Sequence, residues 1–268
     1  MVMSDLPSGR GGAFEPYSRS RGAGFITPGA VGIVAVIRRT HPPLSTRYTA
    51  DDGRDVPLGH PARPMWRGRV HLVALWLFVP AMALLIGSAS DARARVGALL
   101  YAFGLCSMFA TSVVYHRWVH GLRARAIWRR LDHAAIYAAI AGSATPLALV
   151  SMAPGTGFAL ALALWATALP GVALKLGHWH HGDVVGTVLY FVLSAECLTV
   201  IPALFRRDGA TPVVLCFASG AVYVAGAIMF GLKRPSLRAG IFGYHEAWHT
   251  MTVVAAATQF VAVWITCT

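Results

Sequence analysis

The sequence is poor in charged residues, and acidic residues are especially scarce. Asp, Glu, Lys and Arg together make up 13% of the 268 residues, with only 11 acidic ones. A soluble domain of this size has about a quarter charged residues. The hydrophobic fraction is 56%. This balance excludes an ordinary soluble globular domain and indicates that lipid surrounds most of the chain.

The sequence also lacks the cysteine spacing of a disulfide-rich or cysteine-ligated metal protein. It has four cysteines, all inside or beside apolar runs and without paired spacing: Cys106, Cys197, Cys216 and Cys267. Such cysteines are typical of small buried hydrophobic residues. We therefore expect no disulfide framework.

The net charge of +12 does not indicate a nucleic-acid partner. Almost every Lys and Arg lies between apolar runs, and no basic helix alternates with aromatic residues. Basic residues placed this way orient a protein in its membrane. We therefore predict membrane lipids as partners and no nucleic acid.

The chain divides near residue 64. The first part is rich in Gly, Pro, Ser and Arg, and its longest apolar piece, Ala30 to Ile37, is too short to cross a bilayer. We predict that residues 1–64 form a mostly disordered cytoplasmic extension and that residues 65–268 form the membrane domain. The sequence implies no particular oligomeric state.

Seven apolar stretches of the membrane domain are long enough to cross a bilayer as helices. The predicted fold is therefore all-α, a multi-pass bundle of seven transmembrane helices. The expected spans are His71–Ser88, Val96–Tyr115, Ala134–Ser151, Gly157–Leu176, Val185–Pro202, Pro212–Leu232 and Glu246–Thr266.

The distribution of Lys and Arg predicts the orientation of these spans. Cytoplasmic loops are enriched in basic residues. The loop between the second and third spans contains five arginines, whereas the loop between the first and second contains only Arg93 and Arg95. We therefore expect a cytoplasmic N-terminus, and a plasma membrane location, in bacteria the inner membrane.

Three of the predicted helices bring polar side chains to the cytoplasmic end. Ser112 and His116 are four residues apart and share a face at the end of the second span. Asp132 lies at the start of the third span, and His245 and His249 share a face at the start of the seventh. Because the second helix runs inward and the other two run outward, we expect all five at one depth.

Three neutral imidazoles and a water are a common catalytic zinc arrangement. We predict His116, His245 and His249 as zinc ligands. Asp132 would hold or deprotonate the metal's water, and Ser112 would donate a hydrogen bond to that water or to a developing oxyanion. Each residue also has a simpler interpretation: the histidines as interfacial side chains, Asp132 as a helix N-cap, and Ser112 as a packing residue. Histidine sites also accept iron, copper or nickel.

Other polar residues give weaker indications. His71 begins the first span and is a candidate for the edge of the site, while Glu196 lies near mid-membrane, where a carboxylate is costly. The remaining histidines are expected in solvated loops or at lipid phosphates: His120, His133, His178, His180 and His181.

These motifs resemble the hemolysin III family, which is related to the progestin and adipoQ receptors and more distantly to alkaline ceramidases. The resemblance extends from about Trp66 to the C-terminus, and it depends on Ser112-x-x-x-His116, Arg-Leu-Asp132-His133 and His245-x-x-x-His249 in that order. It implies seven helices and zinc bound by the three histidines that match the motifs. One difference is that members usually have Glu and Asn before the first-helix histidine, where this chain has Arg63 and Arg67.

The leading hypothesis is a zinc-dependent hydrolase that cleaves an amide or ester bond of a lipid substrate. The family's name implies an alternative, a pore-forming cytolytic protein. A pore predicts polar faces along several whole helices, and here the polar groups gather at one end. A third alternative is a receptor or regulator of membrane lipids in which zinc is structural.

Overall fold

The computed structural model describes residues 64–177, 182–235, 237–238 and 240–268, together with two three-residue strands. The strands are β1 (Arg47–Thr49) and β2 (Asp55–Pro57). The described part of the membrane domain contains eight helices: α1 (Arg69–Ser88), α2 (Ala92–Val113), α3 (Leu122–Ser151), α4 (Pro154–Leu176), α5 (Gly182–Leu198), α6 (Ile201–Asp208), α7 (Ala210–Gly231) and α8 (Tyr244–Cys267). A π-helical turn, Val114–Trp118, extends α2.

Seven helical stretches of the described residues are long and apolar enough to cross a membrane. The predicted all-α, multi-pass bundle is therefore confirmed, with α5 and α6 together forming the fifth span, Val188–Asp208. The cytoplasmic placement of the N-terminus stays a prediction. The mostly disordered cytoplasmic extension predicted for residues 1–64 also stays a prediction, because these residues fall outside the described ones except for the two strands and Pro64.

Two of the predicted helix boundaries are wrong. The third helix begins at Leu122 rather than near Ala134, so Asp132 lies well inside α3 and its interpretation as an N-cap is wrong. The fifth span does not end at Pro202. Its helix breaks at Thr199–Val200, and α6 begins at Ile201 with Pro202 in its first turn, where proline is tolerated.

The third helix is the centre of the bundle. In the most apolar stretch of α3, 78% is buried inside the protein, compared with 11% for α7. Small residues allow its close contacts: a Cβ atom added at Gly104 of α2 would lie 2.2 Å from the carbonyl oxygen of Ala138 in α3. Helices in lipid associate through such small-residue packing because apolar surface gains little by leaving lipid.

An apolar core connects α1, α2 and α8. Its aromatic members include Phe78 and Phe109, whose rings lie 5.4 Å apart, and the partly buried Phe260 packs against it. The ring of His71 lies 5.1 Å from Phe109. The core therefore ends in a layer of buried polar residues, at the end of the bundle where α1 and α8 begin and α2 ends.

Candidate metal centre

The end of α2 presents His116 from a π-helical turn. In this turn the Val119 amide donates to the carbonyl of Val114, five residues earlier. π-Helical turns are rare and occur frequently at functional sites. The turn buries the side chain of His116, which is 6% exposed.

The start of α8 presents His245 and His249 from its first two turns. The carboxylate of Glu246 accepts a hydrogen bond of 2.8 Å from the backbone amide of Gly243, which fixes the beginning of the helix. Both histidines are buried, and their rings stack with centroids 4.6 Å apart. The four-residue spacing thus places the two imidazoles on one face, as predicted.

The structure brings His116, His245 and His249 together. One ring nitrogen from each can be chosen so that all three lie within 4.8 Å of one another, and Nε2 of His116 lies 3.2 Å from Nε2 of His245. Two nitrogen ligands on tetrahedral zinc are about 3.3 Å apart, given Zn–N distances of about 2.0–2.1 Å. The three histidines predicted as ligands therefore form a buried group that could hold a metal ion.

Ser112 also fits a site for a bound group. Its side chain is 1% exposed, and its Oγ is one of the buried polar atoms without a hydrogen-bond partner among the described residues. A buried hydroxyl that lacks a partner is costly, so such groups point to a missing ion, water or ligand. Ser112 lies one turn before His116 on α2, as the sequence predicted.

Asp132 is on α3 and is partly buried, but it is not a member of the three-histidine group. It lies close enough to Tyr190 of α5 to interact with it electrostatically. Its predicted role beside the metal stays a prediction.

His71 is the residue whose importance the sequence showed least clearly. It is 4% exposed, and its ring lies 3.9 Å from that of His249. Its Nε2 is 2.9 Å from the hydroxyl of Thr252, one turn beyond His249. In the sequence, the position of His71 at the start of the first span indicated only that it could lie at the edge of the site.

The segment just before α1 covers the end of the bundle that contains the histidines. The amides of Met65 and Trp66 donate to the carbonyls of Gly240 and Ile241, just before α8. Arg67 Nε lies 2.5 Å from Oε1 of Glu246, whose side chain is 1% exposed. Arg67, where the resemblance led us to expect a different residue, thus pairs with the residue next to His245.

Gly68 allows this segment to approach the metal centre. It has a φ of 72°, and a Cβ atom there would lie 2.9 Å from Cβ of His116. A residue with a side chain would be strained by the φ angle and would press on the metal centre.

The other polar residues lie elsewhere. Glu196 accepts a hydrogen bond of 2.7 Å from Thr167 of α4, which supplies the partner that the sequence did not reveal. His120 and His133 are exposed. His178, His180 and His181 lie outside the described residues.

A protein-family model described as "Haemolysin-III related" matches residues 60–260, which is three-quarters of the chain. The chain belongs to this family. The matched region includes every residue of the candidate metal centre, so the resemblance inferred from the motifs is confirmed.

Three relatives match the chain over most of their length. The hemolysin-3 homolog of Bacillus subtilis is 26% identical over 203 residues, covering 74% of this chain and 91% of the relative. Hemolysin-3 of Bacillus cereus is 26% identical, covering 72% and 86%. The human monocyte to macrophage differentiation factor is also 26% identical, covering 70% and 79%. This haemolysin-III-related chain is therefore a multi-pass integral membrane protein similar to proteins from bacteria and animals.

Proposed function

We propose that this protein is a zinc-dependent hydrolase of lipid amide or ester bonds. The observation that supports it most is the buried group of His116, His245 and His249, with two Nε2 atoms 3.2 Å apart. Three histidines leave one position of a tetrahedral metal open, which is the arrangement of catalytic rather than structural zinc sites.

In this proposal the three histidines hold the metal through neutral imidazole nitrogens. Zinc, when bound, supplies the Lewis acidity that activates water and polarises a carbonyl group. The burial of the histidines excludes bulk water and fixes the rings, so that little reorganisation is needed during the reaction.

Ser112 and Asp132 are assigned the two supporting roles. Ser112 donates a hydrogen bond from its unpartnered hydroxyl to the substrate's carbonyl oxygen as negative charge develops there. Asp132 accepts a proton from the attacking water and returns it to the leaving amine or alcohol. The reaction consumes one water and releases a fatty acid together with the amine or alcohol.

The depth of the site supports a lipid substrate. The histidines lie at the ends of helices that are long and apolar enough to span a membrane, and the ends of such helices lie near the headgroup region at the border of the hydrocarbon core. Amide and ester bonds join the acyl chains of lipids to their polar parts at the same level. We place the site on the cytoplasmic side of the bacterial inner membrane, in accordance with the distribution of arginines.

The test uses the full chain purified into lipid nanodiscs. Metal analysis should give about one zinc per chain for the wild type and for His120→Ala, whose histidine is exposed, and much less for His116→Ala. The zinc-loaded protein should release fatty acid from ceramides, acyl-amides or phospholipids, as measured by mass spectrometry, and His245→Ala should not. A zinc-loaded wild type that leaves all three lipid classes intact would reject the hydrolase.

The names of the two bacillary relatives support a second candidate, a cytolytic membrane protein. Leakage of dye from liposomes containing the protein distinguishes this function from hydrolysis. Leakage that persists in His245→Ala and His249→Ala, without lipid cleavage, would favour a pore. A receptor or regulator with structural zinc would bind a lipid ligand without either leakage or turnover.

A further inference from the structure

An apolar groove lies on the outside of the bundle, at the end opposite the histidines. It has a volume of about 460 Å³ and runs between the first turns of α2 and α4, beside the end of α3. Among the described residues that line it, Arg93 is the one that is charged. Val96, Phe158 and Leu162 in its walls are exposed, so the groove opens towards the surrounding lipid.

The length of the groove matches one leaflet of a bilayer. Its walls follow α2 from Arg93 to Leu100 and α4 from Phe158 to Trp165. With a rise of about 1.5 Å per residue, each of these segments is about 10 Å long, and Trp165 lies roughly 16 Å from the start of α4. Half of a hydrocarbon core of about 30 Å is about 15 Å. The groove therefore has the length and the apolar walls to hold an acyl chain.

Trp165 lies at the deep end of the groove with its polar atom turned away. Its Nε1 donates a hydrogen bond of 3.1 Å to the hydroxyl of Thr145, which is buried in α3. The N–H of the indole is thus satisfied inside the bundle, and the apolar part of the ring is left to line the groove. An apolar chain can therefore lie against Trp165 without burying an unpaired donor.

The charge of Arg93 has no counter-charge among the described residues. Its Nη2 donates to the carbonyls of Leu149 and Met152, the second at 3.0 Å, which leaves the N–H groups of Nε and Nη1. The nearby carboxylate of Asp91 accepts from the amide of Ala94 instead. A partly buried cation at the edge of a membrane is costly without an anion beside it. Arg93 therefore provides the charge complementarity for an anionic group at the mouth of the groove.

The beginning of α4 adds positive charge at the same place. Met152, whose carbonyl accepts from Arg93, is two residues before Pro154, where α4 begins. The amides of a helix's first turn have no partner within the helix and give that end a partial positive charge. The first turn of α4 contains no acidic residue that would neutralise it. An anion beside Arg93 would thus also be attracted by the start of α4.

We propose that this groove binds an anionic phospholipid, with an acyl chain between α2 and α4 and the phosphate at Arg93. The phosphate oxygens accept charge-assisted hydrogen bonds from the remaining N–H groups of Arg93. A zwitterionic phospholipid binds more weakly, because its cationic headgroup is repelled by Arg93 and by the start of α4. The lipid belongs to the leaflet opposite the metal centre, and its binding does not depend on the function proposed for that centre.

The test uses the fluorescence of Trp165 as a reporter of the acyl chain. The full chain is placed in phosphatidylcholine nanodiscs that contain increasing fractions of a lipid brominated on its acyl chains, because bromine quenches nearby tryptophans. The brominated lipid is either phosphatidylglycerol, which is anionic, or phosphatidylcholine, which is zwitterionic. The chain has eight tryptophans, so the signal of the groove is the difference between the wild type and Trp165→Phe.

We expect half-quenching of Trp165 at about a fivefold lower fraction of phosphatidylglycerol than of phosphatidylcholine, the ratio typical of one arginine facing an anionic lipid. Arg93→Gln should abolish this preference. Arg95→Gln is the matched control, because Arg95 is exposed at the same end of α2 and does not line the groove. Leu162→Phe should narrow the groove and reduce the quenching by both lipids.

Three results would overturn the inference. Equal quenching of wild-type Trp165 by the two lipids would mean that the groove does not select an anion, and this comparison stands even if Arg93→Gln fails to fold. Equal losses of preference in Arg93→Gln and Arg95→Gln would assign the preference to the general surface charge. A Trp165 that neither lipid quenches would mean that no acyl chain occupies the groove.

Discussion

The two ends of the helix bundle both contain polar side chains, but these side chains differ in burial and in their partners. At the end where α1 stops and α2 begins, polar side chains bind mainly backbone groups. Asp91 accepts from the amide of Ala94 at 2.8 Å, Arg93 donates to carbonyls at the end of α3, and Arg207 donates to the carbonyl of Val150. These contacts cap helices and close the bundle.

At the opposite end, the polar side chains mainly face one another. Four histidines from α1, α2 and α8 have their rings in mutual contact, and the hydroxyl of Ser112 has no partner among the described residues. Side chains that satisfy backbone groups stabilise the fold, whereas side chains that face one another are suited to binding a shared ligand. The difference between the ends therefore indicates which polar residues serve the structure and which serve the site.

The largest expected difference between the two ends is in the contribution of an ion pair to stability. The pair at the histidine end is Arg67 with Glu246. Glu246→Gln removes the negative charge that pairs with Arg67, at a site where the side chain of Glu246 is 1% exposed and that of Arg67 is 12% exposed. Breaking such a pair costs about 3 kcal/mol of the free energy of unfolding. Denaturant unfolding of the metal-free protein in detergent would measure this loss.

Asp208→Asn is the matched control at the other end. Arg207 and Asp208 are 3.4 Å apart, and the Arg207 side chain is 44% exposed, so this pair should contribute less than about 1 kcal/mol. Equal losses in the two variants would contradict the view that the ion pair at the histidine end is the more tightly enclosed.

Two glycines with positive φ angles allow a sharper comparison. Gly68→Ala and Gly209→Ala should each destabilise the protein by about 1–3 kcal/mol, because alanine is strained at such backbone angles. A Cβ atom at Gly68 would also press on His116, whereas one at Gly209 has open space. Only Gly68→Ala should therefore weaken zinc binding. A fall in zinc affinity in both variants would mean that the affinity follows global stability rather than contact with the site.

The sequence predicted the helices well where hydropathy determines them, and poorly where it does not. The seven spans follow from apolar length alone. The early start of α3 was missed because Arg123 to Arg130 end the apolar run, although Ala, Leu and Arg are all favourable in a helix. The break in the fifth span lies just before Pro202, which has no N–H to donate to the carbonyl of Leu198, and hydropathy alone does not reveal it.

The candidate site was predictable for residues that share a helix and a depth. His245 and His249 follow from their four-residue spacing, and His116 from the direction of α2. The contact of His71 with His249 could not be predicted, because it depends on how α1 packs against α8, which sequence spacing does not specify. The pairing of Arg67 with Glu246 was missed for the same reason.

The smallest expected effects on stability come from removing the Ser112 hydroxyl, which has no partner among the described residues, and the Asp91 carboxylate, which caps α2. In the metal-free protein, Ser112→Ala removes a buried polar atom that makes no hydrogen bond, so the free energy of unfolding should stay the same or rise by up to about 1 kcal/mol. Asp91→Ala removes the N-cap of α2 and should lower it by about 1 kcal/mol. Thermal unfolding of the two variants in one detergent gives the signs directly. A clear loss of stability in Ser112→Ala would mean that its hydroxyl already serves the fold, and the contrast between the two ends would then fail at a residue one turn before His116.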